Sequence, residues 1–210
     1  LHRPVILSPN HLSQMDHFFV GVYLRRRICF MAKSQLFGPP VLTYIYKHGG
    51  AFPIRRGNRD EEAFKTAAPI LGRGDTLLIY AEGGRSRSGK LLPPRFGMLA
   101  YVVDAWRRGR ADDVLLVPVS IAYDQISDVG DYSHEARGGA KKKEGIGWFV
   151  KLIRSLKRSY GNIHVRFGEP VSLRKELGTP DPNAVASDSE EKNLPVQKLA
   201  FEVCHRINGV

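Results

Sequence analysis

Apolar runs and amphipathic segments alternate along the chain, and this pattern predicts strands joined by helices. Short apolar runs typical of buried strands lie at residues 4–8, 28–32, 76–80 and 114–121, and a late alternating run lies at residues 163–167. Apolar side chains recur at helical spacing over residues 13–26, 60–71, 98–108, 148–160 and 195–207. Strands separated by helices favour an α/β fold with a mostly parallel central sheet flanked by helices.

Three shorter features refine this pattern. Residues 50–54 form an extended piece, and Pro53 within it indicates a sheet edge or a strand end, because proline cannot donate a hydrogen bond to a neighbouring strand. Pro118 lies inside an apolar run, which predicts a strand end or a bulge for the same reason. Residues 41–46 are apolar and leave helix and strand open.

The length of 210 residues suits one sizeable core, and we expect a single domain over residues 1–210. The chain does not start with Met, so we expect it to be part of a longer polypeptide. Residues 178–195 are polar and rich in Pro and Ser, which predicts a mobile loop. The two cysteines, Cys29 and Cys204, are too few for a disulfide scaffold and indicate a reducing compartment. No apolar run reaches the roughly 18 to 20 residues that a membrane span needs.

Charge adds a functional constraint to this α/β pattern. The chain carries 32 Lys and Arg residues against 21 Asp and Glu residues, a formal net charge of +11. Such a balance predicts an anionic partner, namely nucleic acid, an acidic membrane surface or phosphorylated small molecules. No zinc-finger, RNP or KH signature is present, so we expect no nucleic-acid partner.

The first segment with chemical potential is the turn after the first predicted strand. His11 lies in that turn, and Ser13 and Asp16 match a capping box with Asp in place of Glu. With a helix starting at Ser13, the chain can fold back so that Asp16 reaches the imidazole of His11. A histidine oriented by a carboxylate is a general-base arrangement. The alternative is a capping aspartate beside an ordinary loop histidine.

Two further segments combine glycines with basic residues. Gly49 and Gly50 precede an extended piece that ends in Arg55 and Arg56, and paired guanidinium groups suit capture of a phosphate. Residues 80–90 (YAEGGRSRSGK) follow a strong strand with two glycines and three cations, which outlines an anion site. For each segment a basic surface turn is the alternative. The spacing of a Walker loop is absent.

Taken in order, these segments resemble the sequence blocks of the glycerolipid acyltransferase superfamily. His11 and Asp16 match its His-x4-Asp block, and residues 82–86 (EGGRS) match its Glu-Gly-x-Arg-Ser block. Residues 50–56 (GAFPIRR) and the extended run 82–94 are similar to the glycerol-3-phosphate acyltransferase branch. Pro53 stands where that branch has Phe, and members of the branch are much longer than this chain.

The resemblance implies a reaction without a cofactor or a metal. A fatty acyl group would move from acyl-CoA or acyl carrier protein to the 1-hydroxyl of glycerol 3-phosphate, the first step of phospholipid synthesis. His11 would be the general base, and Asp16 would orient and stabilise the imidazolium. Base catalysis of this kind is worth about 10² to 10⁴ in rate. Direct attack by the substrate hydroxyl needs no nucleophile from the protein.

The resemblance also implies a substrate-binding set. Three arginines would hold the phosphate, Glu82 would orient arginine side chains or a glycerol hydroxyl, and backbone N–H groups near Gly83 and Gly84 are candidate donors to the oxyanion. The predicted substrate-binding residues are Arg55, Arg56, Glu82, Gly83, Gly84, Arg85 and Ser86.

The basic segments 25–27, 140–143 and 148–160 suit an anionic membrane leaflet, although a solvated surface explains each of them equally well. We therefore expect peripheral membrane association at the cytoplasmic face. Two other acceptors stay open within the superfamily, dihydroxyacetone phosphate and lysophosphatidate. A module that binds anionic lipid or nucleic acid without catalysis is the alternative of a different class.

Overall fold

The computed structural model describes residues 3–13, 15–22, 24–54, 61–86, 90–124, 161–180 and 190–210. The strands are β1 (Val5–Pro9), β2 (Ile28–Lys33), β3 (Ala51–Ile54), β4 (Thr76–Leu78), β5 (Leu115–Tyr123), β6 (Ile163–Phe167) and β7 (Val171–Ser172). The α-helices are α1 (Asp16–Val22), α2 (Pro40–His48), α3 (Glu61–Gly72), α4 (Gly97–Arg107), α5 (Leu173–Leu177) and α6 (Glu190–Asn208). A short 3₁₀ helix, Ser34–Phe37, precedes α2.

The strands form a seven-stranded sheet in the order β3-β2-β4-β1-β5-β6, and β7 also pairs with β5. The pairs β3–β2, β2–β4, β4–β1 and β1–β5 are parallel, whereas β6 and β7 run antiparallel to β5. The predicted α/β fold with a mostly parallel sheet is therefore confirmed. The carboxyl ends of β1 and β4 are neighbours, and this places the residues that follow them beside each other.

Each central strand divides its apolar side chains between the two faces of the sheet. One face, here the first face, carries Ile6, Leu77 and Leu116 and is covered by α3, α4 and α6 in the largest buried cluster. The other, the second face, carries Leu7 and Leu78 and is covered by α1 and α2 in two smaller clusters. Consecutive residues of β1 and β4 alternate between the faces because strand side chains have a period of two.

Pro53 and Pro118 both lie in strands. The expected edge position of Pro53 is confirmed, because β3 ends the order of strands. The expectation of a strand end or a bulge at Pro118 is wrong, since Pro118 lies inside β5 and is in register with Ser8. The backbone nitrogen of Pro118 faces the gap between β6, which ends at Phe167, and β7. No neighbouring strand in the described part of the chain needs a donor there, so the missing N–H is tolerated.

Several predicted boundaries shift. The helix expected over residues 13–26 is the shorter α1, and residues 41–46 belong to α2, which has Pro40 in its first turn. The loop expected over 178–195 is wrong for residues 190–195, which open α6. The apolar side of α6 packs against the first face, and this packing stabilises the helix despite Pro195. Residues 181–189 and the predicted helix 148–160 lie outside the described residues.

No helix in the described parts of the chain is both long and apolar enough to cross a membrane.

Candidate active site

The candidate site lies where β1 and β4 end. His11 follows β1 by two residues, and the ring of Tyr80, just after β4, stacks on its imidazole with ring centroids 3.8 Å apart and planes 18° from parallel. Asn10 anchors this turn to β5, because its side chain both donates to the carbonyl of Ile121 (2.9 Å) and accepts from the backbone N–H of Ile121 (2.7 Å). The imidazole is thus positioned by three neighbouring strands.

Asp16 is the centre of the polar contacts at the start of α1. Its Oδ2 lies 2.7 Å from Nδ1 of His11 and accepts the backbone N–H groups of Leu12 (2.8 Å) and Ser13 (2.9 Å). Ser13 in turn accepts the N–H of Met15 through its Oγ at 3.2 Å. The predicted reach of Asp16 to the imidazole is confirmed, and so is one half of the predicted capping box, the contact from the Ser13 N–H to Asp16. The other half differs, because Ser13 Oγ accepts from Met15. The carboxylate is fully buried, and its hydrogen bonds offset the cost of that burial.

The other oxygen of Asp16 binds a residue from a distant part of the chain. The hydroxyl of Tyr123, the last residue of β5, donates to Oδ1 of Asp16. This contact and the stacking of Tyr80 are the parts of the site that sequence reasoning missed. Both residues are aromatic and lie at or just after the ends of strands that pair directly with β1, a pairing that the sequence alone does not reveal.

Glu82 braces the backbone around His11. Its Oε1 accepts the backbone N–H of His11 at 2.8 Å, and its Oε2 accepts that of Leu92 at 2.9 Å. Burial raises the pKa of Glu82 above its ordinary value, and these two N–H groups lower it part of the way back. The side chain is only 2% exposed, and each of its oxygens accepts a backbone N–H group. Its predicted role of orienting an arginine or a substrate hydroxyl stays a prediction.

The remainder of the 82–86 segment wraps the same turn. The backbone N–H of Ser86 donates to the carbonyl of His11 at 2.7 Å, and the Ser86 hydroxyl donates to the carbonyl of Lys90. Gly83 has a φ of +64°, and a Cβ there would lie 2.7 Å from Cδ of Arg95, so the turn requires glycine. Its N–H donates to the carbonyl of Tyr80 at 3.0 Å, whereas a Cβ on Gly84 would meet open space.

The structure places the predicted phosphate ligands only in part. Arg85 is partly buried directly after the Gly83–Gly84 turn and has contacts of its own. Arg55 and Arg56 lie outside the described residues, which end in that region at Ile54, the last residue of edge strand β3. Among the described residues there is no group of His, Cys, Asp and Glu side chains that could hold a metal ion.

A second histidine lies next to Asp16 and is chemically distinct from His11. The ring of His17 lies against those of Phe18 and Phe30, with centroids 4.1 and 4.4 Å away. Burial lowers the pKa of His17 to about 4, and the nearby charge of Asp16 opposes this shift only in part. Its Nε2 is buried and has no hydrogen-bond partner among the described residues. His17 is therefore neutral near pH 7 and enclosed by aromatic rings.

Comparison with protein families gives two matches that together cover most of the chain. Residues 1–122 match the family model described as Acyltransferase. This range contains β1 to β4 and residues 10–16, the segment after β1 that is here called the His11 turn. Residues 132–210 match the model described as Glycerol-3-phosphate acyltransferase C-terminal region.

Individual proteins agree with these matches. The chain is 37% identical over 220 residues to the Glycerol-3-phosphate acyltransferase of Aeromonas hydrophila subsp. hydrophila, an alignment that covers 98% of this chain and 27% of that protein. The chain thus spans about a quarter of the length of this relative. The crystal structure of the 1-acyl-sn-glycerophosphate (LPA) acyltransferase PlsC from Thermotoga maritima has a TM-score of 0.57 at 22% identity, over 100% of this chain and 66% of that one. At this identity the likeness concerns the fold.

Proposed function

The chain belongs to the acyltransferase family, and from this premise we propose that it transfers a fatty acyl group from a thioester to the 1-hydroxyl of glycerol 3-phosphate. The observation that supports the proposal most directly is the hydrogen bond of 2.7 Å between His11 and Asp16 at the carboxyl end of β1. The relative from Aeromonas hydrophila, named as a glycerol-3-phosphate acyltransferase, supports the choice of acceptor.

His11 is the general base of this proposal. A carboxylate at Nδ1 favours the tautomer that carries its proton there, so Nε2 becomes the nitrogen that accepts the proton of the substrate hydroxyl. The His11 side chain is 16% exposed, which is enough for a substrate to approach one edge of the ring. As the hydroxyl attacks the thioester carbonyl, the imidazolium that forms is stabilised by Asp16, and the thiolate of the donor leaves.

The developing oxyanion needs donors that are in place before the reaction. The N–H of Gly83 is engaged by Tyr80, so the backbone N–H of Gly84 is the better candidate of the two glycines. For the substrate phosphate we propose Arg85, together with Arg55 and Arg56 from the segment that follows β3. Guanidinium groups fit phosphate because they donate two parallel hydrogen bonds.

An assay with three acceptors tests this proposal. Transfer from radiolabelled palmitoyl-CoA in mixed micelles would be measured with glycerol 3-phosphate, dihydroxyacetone phosphate and lysophosphatidate side by side. We expect glycerol 3-phosphate to be the best acceptor, and we expect His11→Ala to lower turnover by about 10² to 10⁴. His205→Ala removes an exposed histidine of α6 and serves as the matched control.

The outcomes separate the parts of the proposal. Preference for another acceptor would retain the chemistry and replace the substrate. Wild-type turnover in folded His11→Ala protein would contradict the role of the base. Replacing palmitoyl-CoA by palmitoyl acyl carrier protein in the same assay decides between the two donors, because the reaction mixtures then differ in the donor alone.

We also propose an anionic membrane surface at the cytoplasmic face as the peripheral partner of the second face. Helices α1 and α2 expose large apolar side chains there, and Arg25, Arg26 and Arg27 after α1 are exposed as well. Apolar contact combined with basic residues favours an anionic leaflet, at about 1 kcal/mol for each basic residue near the surface. The exposed apolar residues of the two helices are Phe18, Val22, Val41, Tyr44 and Ile45.

A further inference from the structure

Among the residues that the structure describes, the hydroxyl of Tyr123 is the one side-chain contact to Asp16 that comes from a strand outside the His11 turn. Tyr123 ends β5, which pairs in parallel with β1, so the sheet itself sets the distance between this phenol and Asp16. The edge of the Phe19 ring meets the Tyr123 ring, with centroids 6.0 Å apart and planes at 73°. The phenol is therefore supported by both the sheet and α1.

The bonds to Asp16 divide unequally between its two oxygens. Oδ2 receives His11 and two backbone N–H groups from the same short turn, whereas Tyr123 donates to Oδ1. Donors on one oxygen alone leave the carboxylate able to rotate about its bond to Cβ. A donor fixed by a neighbouring strand removes this freedom, and it also gives a fully buried oxygen the partner that it needs.

We propose that Tyr123 is a positioning residue for the proposed acyl transfer, and this inference rests on the proposed function. Its hydroxyl holds the Asp16 carboxylate in the plane in which Oδ2 meets Nδ1 of His11, so that Nε2 faces the substrate. Tyr123 takes no proton from the substrate and acts only through Asp16. Tyr80 differs, because it orients the imidazole by stacking, and its own hydroxyl has no partner among the described residues.

The first test is Tyr123→Phe, which removes the hydroxyl and keeps the ring. Loss of a hydrogen bond to a charged group predicts a fall in kcat of about ten- to a hundredfold, with KM changed less than about twofold. Tyr101→Phe, which removes a tyrosine hydroxyl from α4 on the first face, is the matched control and should keep both constants. An unchanged kcat, or a loss confined to KM, in folded Tyr123→Phe protein would overturn the proposal.

A double-mutant cycle separates positioning from a general structural effect. In an Asp16→Asn background, Tyr123→Phe should lower kcat by less than about twofold, because the carboxylate through which it acts is gone. An equal loss in both backgrounds would show that Tyr123 acts by another route and would refute the inference.

A measurement without substrate keeps this inference distinct from the proposed function. The proton on Nδ1 of His11, assigned by its loss in His11→Ala, should be seen by NMR in the wild-type protein. In Tyr123→Phe its resonance should shift or broaden by faster exchange with water, while Tyr101→Phe leaves it in place. An unshifted resonance would refute the positioning role even if no acceptor is acylated. A shifted resonance without acyl transfer would support the role and contradict the proposed function alone.

Discussion

The two faces of the sheet are built for different purposes. The first face is covered by α3, α4 and α6 and holds a large apolar cluster in which Trp106 and Leu77 are at most 1% exposed. The second face has smaller clusters under α1 and α2, and it carries Tyr80 and Tyr123 next to the candidate site. Its helices expose Val22 at 78% and Tyr44 at 64%.

The second face also contains the buried polar atoms that lack partners. Among the described residues these are Nε2 of His17 and the hydroxyl of Tyr80. Tyr80 stacks on His11, and His17 follows Asp16 in the sequence. An unpaired buried polar group costs stability. The first face therefore supplies the packing that holds the sheet together, whereas the second face is less stable next to the site. Four experiments test this comparison.

The largest effect is expected from a pair of adjacent leucines in β4. Leu77→Ala opens the first cluster and Leu78→Ala the second, although both side chains are at most 1% exposed. We expect losses of about 3 to 5 kcal/mol in the free energy of unfolding for Leu77→Ala and about 2 to 3 for Leu78→Ala, because the smaller cluster collapses more readily. Urea denaturation measures both. Equal losses would refute the unequal roles of the faces.

A second effect depends on pH. The pKa of His17 falls from 6.5 to about 4 on folding, so the unfolded chain binds this proton more readily, and the free energy of unfolding decreases as the pH drops from 6.5 to 4. His17→Phe removes this decrease. The difference in the free energy of unfolding between the variant and the wild type should therefore shift in favour of the variant by about 2 to 3 kcal/mol when the pH is lowered from 7 to 4.

Denaturation at several pH values measures the difference. The control is His205→Phe, at an exposed position of α6. A His17→Phe curve parallel to that of the wild type would mean that the imidazole is not desolvated on folding.

The third effect concerns the exposed helices. Val41→Ser combined with Tyr44→Ser should weaken binding to vesicles of phosphatidylglycerol and phosphatidylcholine by about tenfold or more, since each side chain loses apolar area that would otherwise be buried. Co-sedimentation measures this binding. The control is Phe201→Ser, which removes an exposed aromatic residue from α6 on the first face. Equal losses for both proteins would contradict a membrane contact specific to the second face.

The smallest effect is expected at Tyr80. Tyr80→Phe removes a buried hydroxyl that has no partner among the described residues, and it keeps the ring that stacks on His11. The variant should be more stable than the wild type by about 1 kcal/mol, because the hydroxyl is desolvated without compensation. Thermal unfolding is sensitive enough for this change. A destabilised variant would reveal a partner for the hydroxyl.

The alternation of strand and helix patterns in the sequence was sufficient to predict the fold class, because buried strands and amphipathic helices have different periods. The approach of Asp16 to His11 was also predictable, since a capping contact is local. Tyr123 was not, because its contact with Asp16 joins residues 107 positions apart in the chain. Such a contact depends on the order of the strands, which composition and periodicity do not determine.

The predicted boundary between the loop and α6 was wrong for a related reason. The polar composition of residues 178–195 indicated a loop, yet Glu190 already belongs to α6, because the later turns of that helix pack on the first face. Glu82 shows that prediction from sequence has the same limit in the candidate site. The sequence pattern suggested that Glu82 orients arginine side chains or a glycerol hydroxyl, and it gave no sign that the folded chain brings the backbone N–H groups of His11 and Leu92 to this carboxylate. Tertiary packing decided both outcomes.

Pro53 has a consequence for how this sheet meets other chains. The backbone N–H of Phe30 donates to the carbonyl of Gly50, so the even-numbered residues of β3 bond to β2 and Pro53 faces away from the sheet. An open strand edge with a full set of donors invites pairing with a strand of another molecule. Proline at this position withholds a donor from that edge, and β3 thereby guards the protein against edge-to-edge aggregation.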